Sequence, residues 1–257
     1  MQETIKFDLT ANMAIIKKPE SNETYYTYRF PHKIMLLGML GAIIGLNGYN
    51  YYALKKQLGE KVNELPEFYS KLEKLKVAII PKIKDNNFKY KIQTFNNSVG
   101  YASKEEGNNL VVKEQWIEKP YWEVYILQDD SGEYSKIKDY LINQKCEYIP
   151  YIGKNDHFAD IKNVEIKNAN LVHNPSYIDS IFNQEILTEH VESFEEWLAF
   201  DFNVEKKQYE YKESLPTRLN EKVGYTEFKS FLYTNKKLQV KSEMELYQVE
   251  DKTIYYF

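Results

Sequence analysis

The feature that most constrains the fold is an apolar run over residues 34–46 that carries Gly38, Gly41 and Gly45. Spanning a bilayer takes about 20 such residues, so the run predicts a buried helix. Pro31 suits its start, because a missing N–H costs nothing in a first turn, and the helix is expected from about 32 to 46. Glycines three and four apart fall on one helix face and let another backbone approach closely. Each costs about 1 kcal/mol relative to alanine in a helix interior, and tight helix-to-sheet packing is the expected return. The pattern is not a phosphate loop, since it lacks a Gly-Lys-Ser/Thr ending and does not follow directly on a strand.

Around this helix the hydrophobic period changes in a readable order. Ile5, Phe7 and Leu9 alternate with Lys6, Asp8 and Thr10, as in a half-buried strand. A second helical stretch is expected over 66–75 and a short apolar strand over 77–81. Segments 89–95 and 110–117 read as two strands around an Asn/Ser/Gly-rich tip, because a structureless loop of that length would be out of place in a compact domain. A strand over 122–127, a helix over 133–145 and a strand over 161–172 complete the series. The order β, α, β, β, α, β predicts an α+β, ferredoxin-like domain of the kind shared by RNA-recognition modules, covering 1–172 with a β-hairpin inserted at about 86–118. Residues 173–257 are tyrosine-rich and acidic, with strands expected at 208–212, 238–249 and 253–257. They are expected to form a β-rich extension packed on the first domain.

Composition narrows the partners. Cys146 is the single cysteine, which excludes an intramolecular disulfide and argues against structural zinc. A reducing, cytoplasmic compartment is expected, and the first residues lack the pattern of a signal peptide. No metal, cofactor or membrane partner is expected. The net charge is −4, yet it is segregated. Residues 71–104 carry eight lysines against Glu73 and Asp85, whereas 185–213 carries nine acids against Lys206, Lys207 and Lys212. Such segregation permits a cationic face on an anionic protein.

Lys82, Lys84, Lys89 and Lys91 form the leading phosphate-contact group, each pair spaced to share a strand face. Lys17, Lys18, Arg29 and Lys33 flank the first strand and helix, where free helix amides suit a phosphate. Tyr28 and Phe30 are candidates for stacking on unpaired bases, with core packing the alternative for Phe30. His32 is either an RNA contact, a general acid or base, or a residue of the helix start. Lys154, Asn155 and His157 sit in a loop open to a ligand, although Asn155 and Asp156 also suit a turn. His173 and His190 are assigned no role. Glu192, Glu195 and Glu196 read as a solvent face or a dock for a basic protein. With only Arg29 and Arg218 as arginines, attraction to the nucleic-acid backbone is favoured over base reading.

Three stretches resemble a known family. Ala14-Ile15-Ile16-Lys17-Lys18-Pro19, then Tyr28-Arg29-Phe30-Pro31, then Gly38-Met39-Leu40-Gly41-Ala42-Ile43-Ile44-Gly45-Leu46 are similar to the N-terminal signature of the Cas-five subunits (RAMP superfamily) of type I CRISPR effector complexes, nearest subtype I-B. Pro150 to His157 and the final Tyr255-Tyr256-Phe257 add to the likeness. Ile16-Lys17 stands where many members show Phe-Arg, and Gly153-Lys154-Asn155-Asp156 where they show Gly-Arg-Ser-Glu. A lysine cannot fork two hydrogen bonds to one phosphate. The resemblance implies a noncatalytic RNA-binding subunit of Cascade that caps the 5′ handle of the crRNA, with the hairpin as a thumb beside backbone Cas-seven subunits and the large Cas-eight subunit as a further partner. The alternative is a metal-independent endoribonuclease that processes precursor crRNA. The Lys-His pair used by that branch has no counterpart here, which leaves Tyr28, His32 and Lys33 as the substitute grouping. A carbohydrate- or protein-binding β-module would account for the tyrosines alone.

Overall fold

The computed structural model describes residues 1–20, 24–61, 65–83, 87–96, 111–188, 208–220 and 224–257. The elements run β1 (Gln2–Thr10), β2 (Met13–Ala14), β3 (Thr24–Tyr25), α1 (Lys33–Ile43), α2 (Tyr49–Gln57), α3 (Glu67–Leu72), β4 (Val77–Pro81), β5 (Tyr90–Asn96), β6 (Val111–Glu118), β7 (Tyr121–Leu127) and α4 (Gly132–Ile142). After these come β8 (Asp160–Val172), β9 (Phe182–Asn183), β10 (Glu210–Asn220), β11 (Gly224–Thr234), β12 (Leu246–Val249) and β13 (Lys252–Ile254). The architecture is mixed α+β and mostly strand. No helix among the described residues is long and apolar enough to cross a membrane.

The main sheet has the order β13-β12-β8-β1-β7-β4, with neighbours antiparallel throughout. The alternation in β1 works as its spacing demands. Ile5, Phe7 and Leu9 join Val77, Ile79, Val124 and Ile126 in one core cluster with Leu36, Leu37 and Leu40 of α1 and Ile137 and Leu141 of α4. Ser131 caps α4 by accepting from the Tyr134 amide at 3.1 Å, so the helix begins one residue before the expected start and ends at Ile142. The opposite face carries Ala78, Ile80, Tyr125 and Leu127, and it is covered by Tyr247, Val249, Ile254 and Tyr256. The sheet curls far enough that Phe257 and Val77 exchange both backbone hydrogen bonds, at 2.9 and 3.1 Å. RNA-recognition modules bind RNA on an open sheet face. Here the corresponding face is filled by the chain's own C-terminal strands.

A second sheet has the order β10-β11-β9, and its Leu215, Leu219, Phe231 and Tyr233 belong to the α1 core cluster. In a third, small sheet β6 is flanked by β5 on one edge and by β2 and β3 on the other. The expected strand over 238–249 is a correction, because regular pairing begins only at Leu246 and Val240 makes a single bridge with Leu187. The long β10–β11 hairpin was foreseen only at its first residues. Pro216 lies where the ladder shifts register, the irregularity that lets a proline without an N–H sit inside a strand. Helix α2 was not foreseen, since it buries no residue and so shows no apolar stripe.

The glycine helix also differs from expectation. It stops at Ile43, and Gly45 adopts φ +82° beyond its end, with Leu46 N–H donating to Gly41 and Gly45 N–H to Ala42. That is a Schellman closure, which favours glycine at the left-handed position. Gly38 and Gly41 face Phe68 of α3, not a sheet. A Cβ on Gly41 would lie 2.6 Å from Phe68 Cβ, so the close approach is between two helices.

Candidate nucleic-acid interface

The connection between β2 and α1 doubles back on itself. Tyr28 N–H donates to Ile16 O and Lys18 N–H to Tyr26 O, each at 2.8 Å, while the Thr27 hydroxyl oxygen accepts from Ile16 N–H at 2.9 Å. This places Lys17 outside, with Nζ 3.5 Å from the centroid of the Tyr25 ring, a cation–π contact. It also turns the following side chains inward. Tyr28 and Phe30 are 0% exposed and His32 is 1% exposed.

Tyr28, Phe30 and His32 are thus corrected from RNA contacts to core residues. Phe30 packs edge-on against Phe88 and Tyr233. His32 lies between Tyr28 and Tyr225, with ring centroids 5.6 and 5.3 Å away, and its Nδ1 caps α1 by accepting from Met35 N–H at 3.2 Å. Burial pushes the imidazole pKa down to about 3, so the ring is neutral near pH 7 and cannot shuttle a proton to solvent. The same burial raises the Tyr28 hydroxyl above its ordinary range. Of the Tyr28–His32–Lys33 grouping, the tyrosine and the histidine are thus enclosed. Lys33 opens α1 half-buried, its amine drawn down to about 8 by burial.

The small sheet gathers most of the other candidates. Lys91 pairs with Trp116, Gln93 with Glu114 and Phe95 with Val112, and Tyr25 pairs with Glu114 from the other edge. Paired residues share a face and alternate residues repeat it, so Tyr25, Lys91, Phe95, Glu114 and Trp116 line one side. Lys89 precedes that strand in phase with Lys91, as its spacing predicts. Lys154 lands on the same side. Its Nζ lies 4.9 Å from the Phe95 ring, 5.4 Å from the Trp116 ring and 3.0 Å from Glu114 Oε2. His157 meets Trp116 edge-on at 4.6 Å. The residue is 5% exposed, both ring nitrogens lack a hydrogen-bond partner among the described residues, and burial lowers its pKa. Asn155 is exposed beside it.

Gly153 makes this docking possible. Its φ is +85°, and a Cβ there would fall 1.5 Å from Ile15 O, so the loop reaches β2 only through a glycine. Ile15 N–H then donates to Ile152 O at 3.3 Å.

Other candidates separate from this face. Lys82 Nζ is 2.9 Å from Glu123 Oε1, a buried carboxylate also held by Lys252 at 2.6 Å. Lys82 therefore neutralises the protein's own charge. Lys18 and Arg29 lie toward Glu213, on the side of Tyr90 and Gln115. Lys84, the tip over 97–110, His190 and the acidic group Glu192, Glu195 and Glu196 lie outside the described residues. Among the described residues Lys17, Lys89 and Lys91 make no ion pair. Sequence reasoning missed Tyr25, Phe95, Glu114 and Trp116. Alternation marked Phe95 and Trp116 as strand residues, but not as neighbours of Lys154.

No protein-family model matches this sequence, and no curated protein is significantly similar to it. Solved structures similar to the chain include one described as a CRISPR RNA-guided surveillance complex, 13% identical over 92% of this chain and 91% of that one, with a TM-score of 0.48. Another is a CRISPR protein from Archaeoglobus fulgidus, 11% identical over 98% of each chain, with a TM-score of 0.46. A third, described as a Cas protein, is 10% identical over 93% of this chain and 95% of that one, with a TM-score of 0.43.

Proposed function

We propose that this chain is a noncatalytic guide-RNA-binding subunit of a type I CRISPR effector complex, of the Cas-five kind that caps the 5′ handle of crRNA. The observation that carries the reading is the shared face on which Lys17, Lys89, Lys91 and Lys154 meet Tyr25, Phe95 and Trp116, drawn from three segments distant in sequence. Lysines that track a backbone beside aromatic rings that accept bases make a single-strand binding surface. The order β8-β1-β7-β4 with α1 and α4 on one side supports a ferredoxin-like domain, and β5–β6 supports an inserted thumb. In this reading the thumb lies against a backbone Cas-seven subunit, the large Cas-eight subunit completes the assembly, and the complex works in the cytoplasm. The chain binds RNA without cutting it, which the burial of Tyr28 and His32 supports.

The test is the salt dependence of single-stranded RNA binding. In a K17A/K89A/K91A variant the slope of log affinity against log salt falls by about 0.7 for each phosphate that is no longer neutralised, while K82A leaves it unchanged. An unchanged slope in the triple variant moves the interface elsewhere. Cleavage of cognate repeat RNA by the purified chain in EDTA would overturn the binding-only reading.

A further inference from the structure

On the other side of the small sheet, Glu213 of β10 is a carboxylate whose side chain is 4% exposed. Its Oε2 accepts from the backbone N–H of Arg29 at 2.7 Å and of Phe30 at 3.4 Å. Its Oε1 lies 2.8 Å from Lys18 Nζ. Two successive amides and an ammonium group around one anion are the donors that also hold a phosphate. A cleft of about 390 Å³ adjoins them, lined by Thr27, Arg29, Tyr90 and Gln115, with the carboxylate of Glu20 as an opposing charge.

We propose that Lys18 and the amides of Arg29 and Phe30 form a second anion site, for a phosphate group of the RNA backbone, and that Glu213 is its intramolecular occupant. A phosphodiester carries the same single charge as the carboxylate, so exchange leaves the charge of the site unchanged and the cleft receives the released side chain. While Glu213 is seated, Lys18 offers no net charge to RNA. The site rests on the RNA-binding reading only for the identity of its ligand.

The experiment compares wild type with E213Q, E213A and K18A/E213Q. Inorganic phosphate, set against chloride at equal ionic strength, is the first probe, read by thermal unfolding. A single-stranded RNA oligonucleotide of fixed length is the second, read by affinity across a salt series. Phosphate is expected to raise the unfolding temperature of E213Q and E213A beyond its effect on wild type, and K18A/E213Q to lose that gain. E213Q is expected to bind RNA about five-fold tighter, with a slope steeper by about 0.7. If phosphate protects the Glu213 variants but neither they nor wild type bind RNA, the anion site stands and the RNA reading falls. Equal phosphate protection of wild type and both variants overturns the site, whatever RNA does, and leaves Glu213 as a latch on the connection. E213Q keeps an acceptor for both amides, so the comparison survives if E213A does not fold.

Discussion

His32 shows how one residue can carry the look of chemistry and serve the fold instead. Histidine before a helix, next to a lysine and four residues after a tyrosine, reads as an acid–base group. Its surroundings remove that option, since the ring is enclosed by Tyr28 and Tyr225 and spends Nδ1 on the Met35 amide. The consequence is an acid sensitivity with a definite sign. Between about pH 3, where the folded imidazole titrates, and its ordinary value of 6.5, the unfolded chain holds a proton that the folded chain refuses. Unfolding therefore takes up a proton, and stability rises with pH by about 1.4 kcal/mol per unit from this group. His157, lowered by burial as well, acts in the same direction. Replacing His32 by Asn keeps a good helix cap and removes the titration. Denaturant unfolding of the two proteins from about pH 4 to 6.5 is expected to show the variant's pH slope smaller by about one proton, and equal slopes would mean that His32 is protonated in the fold.

Among the elements, α1 was the most legible in existence and the least legible in its contacts. An apolar run too short for a membrane and opened by proline had to be a buried helix, and it is. Its glycines could not reveal their neighbour, because a small residue records only that something comes close. The structure separates their roles. A Cβ on Gly38 would meet the Phe68 ring at 3.7 Å, an ordinary contact, whereas on Gly41 it would lie 2.6 Å from Phe68 Cβ and 3.6 Å from its Cα. Gly38→Ala is thus expected to stabilise by up to about 1 kcal/mol through helix propensity, and Gly41→Ala to destabilise by about 1–3 kcal/mol through overpacking. Denaturation midpoints check both, and the reverse order would mean that α1 does not rest on α3. The hairpin was legible for the opposite reason. A period of two assigns faces without knowing the partner, so Lys89 and Lys91 share one as foreseen, whereas the meeting of that face with Lys154 depends on Gly153 and Ile15, far apart in sequence.

At the scale of the whole molecule, the closing of the main sheet organises everything else. A six-stranded antiparallel sheet ordinarily leaves two edges and one open face. Here β12 and β13 extend one edge, and residues beyond them reach Val77 on the other. Ile181 N–H also donates to Ile79 O at 2.9 Å. Edges paired on both sides open only with the core. The amides of Val77 and Phe257 are accordingly expected to exchange hydrogen at the rate of global unfolding, and exchange as fast as a fraying terminus would show that the sheet is open. Tertiary pairing also cancels charge. Glu123, Glu213 and Glu245 pair with Lys82, Lys18 and Lys76 at 2.9, 2.8 and 3.1 Å, so two lysines of the basic stretch and Lys18 are neutralised and the surviving positive surface is smaller than the lysine count suggests.

What the sequence determined by itself is whatever rests on local period and local chemistry. That covers the order of the main strands and helices through β8, with β2, β3 and α2 excepted, the shared facing of Lys89 and Lys91, the buried helix after Pro31 and the loop that holds Lys154. What only the tertiary structure decided is which of those residues remain in reach of a ligand. Exposure depends on what packs on a residue from elsewhere in the chain, and the packing came from the region least patterned to the eye, the β10–β11 hairpin and residues 246–257. Those segments helped to bury Tyr28, Phe30 and His32 and engaged Lys18 through Glu213, while Glu123 of β7 engaged Lys82 and Lys17, Lys89 and Lys91 kept no ion-pair partner among the described residues.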